Sequence, residues 1–154
     1  MFKTMLGLLV AVSAVPAMAD GFKCGNDTDL PNARWHVRVN VTTEANAGRK
    51  IGFLLLHNAH EKGAIVRTDD RRRLQVDDAG LPGVTTSVKL NAKERKALRA
   101  LADQRLNLKG AARVSLWLNA ELNEKLSDTN GSLTVSDEDG EEVYSTALDC
   151  EYAP

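Results

Sequence analysis

Signatures of catalysis are missing from this chain. It has no Gly-x-Ser-x-Gly elbow, no phosphate-cradling glycine loop, and neither HExxH nor HxxEH, arrangements that work because they fix reactive groups at set spacings on a turn or helix. Cysteine is scarce, with two in 154 residues, and Cys24 and Cys150 are too far apart in sequence for a CxxC redox pair. Aromatics make up 5% of the chain, few for the stacking surfaces that hold sugars, and the clustered carboxylates of residues 136 to 142 are adjacent turn residues, which do not hold an acid and a base across a cleft as glycoside hydrolysis requires. Past the N-terminus no apolar run approaches the roughly 20 residues of a membrane-crossing helix. Repeats of 20 to 50 residues, low-complexity tracts and interdomain linkers are also absent.

What is present begins with a targeting pattern. Lys3 is followed by the apolar stretch MLGLLVAVSAV and then by Ala17-Met18-Ala19, the order of a secretory signal peptide with its small-residue cleavage site. The expectation is a signal peptide over 1–19 and a mature chain from Asp20, periplasmic or secreted. The residue after the cleavage site is not cysteine, which argues against a lipoprotein. The 135 remaining residues suit one domain with a real core. In an oxidising compartment the even pair Cys24 and Cys150 reads as one structural disulfide that holds the first and last segments together. Residues 20–154 are thus expected to form a single disulfide-stapled domain.

Periodicity then places the elements. Trp35, Val37, Val39 and Val41 alternate with Arg34, His36, Arg38 and Asn40, the period of a half-buried strand. KIGFLLLHN follows as a central strand, joined to the first by a hairpin through TTEANAGR. Shorter strands are expected over Ala64 to Thr68, Arg73 to Val76 and Val84 to Leu90, with turns at Asp69-Asp70 and Asp77 to Gly83. Asn91 and Glu94 form a helix-capping pattern, and Leu98, Leu101, Ala102 and Leu106 share one helical face, which predicts an amphipathic helix around 91–106. ARVSLWLNAEL returns to alternation. SLTVS and EEVYSTALDC are the arms of a last hairpin, with Asp139-Gly140 as a two-residue turn. The predicted fold is mainly β, a β-sandwich or curved antiparallel sheet with that one helix, and an α+β roll is the alternative. The cysteines bracket the chain ends and a tryptophan lies on an early strand, so the spacing is not that of an immunoglobulin domain.

Charge is segregated along the chain. Residues 34 to 113 carry 17 Lys and Arg against 8 Asp and Glu, and residues 114 to 154 carry 1 against 10. Folding either neutralises these blocks against one another or leaves an acidic surface that attracts basic partners. The densest acidic run is SDEDGEE, residues 136 to 142. Its carboxylates lack the alternation, central glycine and terminal bidentate glutamate of an EF-hand. DDRRR, residues 69 to 73, reads as a charged turn, and export with a near-neutral total disfavours nucleic acid as a partner. His36, His57 and His60 come together at one end of the first hairpin, where polar strand-end histidines are a simpler reading than a zinc or copper site, so no metal and no cofactor are expected.

Two functions fit these residues. The first is an exported, non-catalytic domain that binds a basic protein, such as an inhibitor of or immunity factor against a cell-wall hydrolase. Its contact residues would be Asp137, Glu138, Asp139, Glu141 and Glu142, with Tyr144 as an aromatic anchor. The second is a carrier of a small ligand or metal in the sheet interior or at the histidines.

Overall fold

Among the described residues, alternating side chains produce nine antiparallel strands in one continuous sheet. The computed structural model describes residues 20–26, 34–44, 48–68, 75–77, 83–101, 108–122 and 125–154; the predicted signal peptide, the DDRRR stretch and residues 102–107 lie outside them. The strands are β1 (Asp20–Gly25), β2 (Trp35–Glu44), β3 (Gly48–His57), β4 (Val66–Arg67), β5 (Gln75–Asp77), β6 (Val84–Lys89), β7 (Arg113–Leu118), β8 (Thr129–Ser136) and β9 (Glu142–Ala153), with helix α1 (Ala92–Arg99) between β6 and β7. Their order in the sheet is β4-β3-β2-β1-β9-β8-β7-β6-β5. Two meanders, β1 to β4 and β5 to β9, are therefore sewn together where β1 pairs with β9.

Chain length forces this sheet to curl. Nine flat strands spaced by about 4.8 Å would put the edge strands β4 and β5 about 38 Å apart, whereas the chain from Arg67 to Gln75 reaches at most about 29 Å. Of the arrangements expected from the sequence, the single curved sheet is the one formed. Its concave face carries Phe22, Trp35, Val37, Val39, Ile51, Phe53, Leu55, Val114, Leu116, Leu133, Val135 and Leu148 in one buried cluster. Phe22, Trp35, Phe53 and Leu116 are at most 1% exposed, so large side chains fill the inside of the curl.

The seam between the meanders is covalent. Cys24 and Cys150 are register partners on β1 and β9, their sulfurs are bonded, and both are buried. At the other end of β1, the Tyr152 hydroxyl donates to Asp20 Oδ1 at 2.9 Å.

Helix α1 begins as predicted and stops early. Asn91 Oδ1 accepts the Glu94 N–H and Glu94 Oε2 accepts the Asn91 N–H, both at 2.9 Å, the reciprocal pairing of a capping box. The helix ends at Arg99, short of the expected 106, with Ala100 as its C-cap. The Leu101 N–H then bonds to the Leu98 carbonyl, a tight turn that delivers Leu101 to the core beside fully buried Leu98 without another helical turn.

Candidate functional site

The acidic segment is built on the β8–β9 hairpin. Ser136 pairs with Glu142, with a register shift after Val135. The connection is a three-residue loop, Glu138-Asp139-Gly140, rather than the expected two-residue turn. The Asp137 N–H donates to the Glu141 carbonyl at 3.0 Å and the Gly140 N–H to the Asp137 carbonyl at 3.3 Å. Gly140 has φ +87°, the left-handed residue that ends a loop of this length.

Asp137 holds that loop from within. Its Oδ1 accepts the N–H groups of Asp139 at 3.0 Å and Glu141 at 2.9 Å, so this carboxylate is used by the turn. Glu138 is committed too, accepting from Arg95 of α1 at 2.6 Å. That hydrogen bond, followed by the charges of Arg95 and Lys89, holds the Glu138 carboxyl below its usual range. The basic helix and the acidic hairpin thus neutralise one another at this point. Asp139, Glu141 and Glu142 are exposed and form the acidic rim.

Tyr144, the aromatic expected beside the rim, lies on the inward face of its strand. It pairs with Val135 across β8 and β9 on the concave side, is half-buried, and its ring centroid lies 5.8 Å from that of Trp35 with the planes 35° apart. Strand alternation places Tyr144 on this face, but only the curl of the sheet brings it to β2.

The histidines gather at one strand end and then diverge across the sheet. His57 pairs with Trp35, and His36 with Leu56, so His57 points into the curl and His36 away from it. His36 Nε2 bonds to Asn58 Oδ1 at 3.0 Å. His57 is 6% exposed and stands edge-on to Trp35, with centroids 4.5 Å apart and an interplanar angle of 74°. Its Nδ1 accepts the Ala59 N–H at 3.1 Å, and its carbonyl accepts the His60 N–H at 2.9 Å. Burial, then the charges of Arg34, His36 and His60, pull the His57 pKa below its usual 6.5. His57 Nε2 and Trp35 Nε1 are buried and have no hydrogen-bond partner among the described residues. No group of three or more His, Cys, Asp or Glu side chains is placed to hold a metal ion among the described residues.

The described residues include no helix long and apolar enough to cross a membrane. The bonded Cys24–Cys150 pair fits an oxidising compartment. Comparison with protein-family models, curated proteins and solved structures finds no match.

Proposed function

We propose that this chain is an exported, non-catalytic protein-binding domain of the periplasm or exterior, acting as an inhibitor of or immunity factor against a cell-wall hydrolase or similar basic protein. The observation that carries this reading is the acidic rim: Asp139, Glu141 and Glu142 project into water from a loop held by two hydrogen bonds to Asp137 Oδ1. A fixed loop loses little conformational freedom when it binds, and exposed carboxylates at its tip steer a cationic surface toward it. The side chains filling the curl favour this reading over a carrier that would lodge a ligand inside the sheet.

The test is inhibition of a purified cationic muramidase and of a cationic amidase by the mature protein, with association followed by stopped flow at two ionic strengths. Inhibition with an association rate that falls as salt is added supports the reading. Binding and inhibition absent at low salt for both enzymes would count against a cell-wall hydrolase as the target.

A further inference from the structure

The corner made by Trp35, His57 and Tyr144 has a feature that the acidic rim does not use. The Ala59 N–H donates to His57 Nδ1, so the neutral ring carries its proton on Nε2. The ring is packed against Trp35, and Trp35 in turn meets Tyr144 of β9. A second proton would turn Nδ1 into a donor facing the Ala59 N–H donor. It would also place a positive charge at a buried position, on a ring whose Nε2 has no acceptor among the described residues. The charged or titratable groups around it give no relief. Arg34 just before β2, His36 on β2 and His60 in the following turn all disfavour the charged ring, and β9 contributes, through Trp35, the phenol of Tyr144.

We infer that this corner is an acid-operated latch: protonation of His57 breaks its bond to Ala59, lifts the imidazole off Trp35 and opens the turn at 58–60. Opening uncovers Trp35 and, behind it, Tyr144 at the base of the acidic hairpin, giving an aromatic surface beside the carboxylate rim. The switch stands on the corner's own geometry and requires no partner.

The test uses the whole mature chain with Trp117→Phe, which leaves Trp35 as its one indole. Between about pH 7.5 and about pH 5, the window in which imidazoles titrate, Trp35 emission should shift to longer wavelength with the midpoint of the His57 ring resonances. Over the same range the opening constant at 57–60, from amide exchange corrected for intrinsic rates, should rise by about tenfold per pH unit below the His57 value in the unfolded chain. His57→Asn, which keeps an acceptor for the Ala59 N–H, should abolish both changes, while His36→Asn should retain them. The inference is overturned if His57 titrates with Trp35 emission and exchange at 57–60 unmoved, or if both changes survive in His57→Asn. Should His57→Asn fail to fold, the coincidence of the Trp35 emission and His57 ring midpoints, together with the rise in exchange at 57–60, decides in the parent chain.

Discussion

Cys24 and Cys150 face one another directly across β1 and β9, with Cα atoms 4.0 Å apart, on the strand pair that joins the two meanders. The bond closes a sequence separation of 126 residues, which in the chain-entropy account corresponds to about 4 to 5 kcal/mol of stability. The Cys24→Ala, Cys150→Ala double variant should therefore unfold at markedly lower urea concentration, with about 4 kcal/mol lost, and reduction of the parent chain should have a similar effect. A midpoint unchanged in the double variant would mean that β1 is held by its hydrogen bonds and by Phe22 alone.

Much of this fold can be read from residue patterns, because each strand carries its own record of which side is buried. Trp35, Val37, Val39 and Val41 are all buried as their alternation requires, and the Asn91–Glu94 capping box is explicit in the sequence. Placing β1 beside β9 rested on the cysteine pair, since no periodicity specifies a non-consecutive neighbour. The helix end was less legible: Leu101 continues the apolar spacing but reaches the core by a tight turn after Leu98. Contacts across the curl were hidden for a similar reason. A period of two states which way Tyr144 points, and only the closing of the sheet states that it meets Trp35. Arg95 and Glu138, 43 positions apart, likewise meet only through the tertiary fold.

The hairpin loop makes an ordered set of predictions. Asp137→Asn keeps the Oδ1 acceptor and should be nearly neutral, whereas Asp137→Ala removes both hydrogen bonds and should cost about 1 kcal/mol. Gly140→Ala meets open space but must hold φ +87°, a cost of about 1 to 2 kcal/mol from the left-handed backbone. Urea midpoints for the three variants check the order. A Gly140→Ala variant as stable as the parent would show that the loop relaxes to another turn type.

Two groups set opposite ends of the acid response. The pKa of His57 is lowered by folding, so the unfolded chain takes up this proton first. Its stabilising contribution is complete above pH 6.5, the usual histidine value, and declines as pH falls from there toward the folded value. Glu138 is also lowered, from 4.5. Its contribution is present above that value and is lost at lower pH as the carboxylate protonates through its folded pKa. Stability measured against pH should therefore fall first in the histidine range and again in the carboxylate range. His57→Asn should remove the first decline and Glu138→Gln should reduce the second.

The acidic rim should act on the rate of encounter. Glu138 is paired with Arg95 and Asp137 is bound to the loop backbone, so among the described residues of this hairpin the exposed carboxylates that can steer a partner are those of Asp139, Glu141 and Glu142. Rim charges act by long-range attraction, which salt screens over about 10 Å at 0.1 M ionic strength, and they change association more than dissociation. Replacing all three by Asn or Gln should slow association with a cationic hydrolase by about tenfold at low salt and flatten its salt dependence, with dissociation nearly unchanged. Glu138→Gln alone removes one negative charge rather than three, leaving the Arg95 charge uncompensated, and should slow association by less than the triple variant. Stopped-flow association of the triple and single variants at two salt concentrations separates the two cases. Equal slowing by both variants would show that the Arg95–Glu138 pair opens in the encounter, and an association rate indifferent to the triple substitution would move the contact surface away from this hairpin.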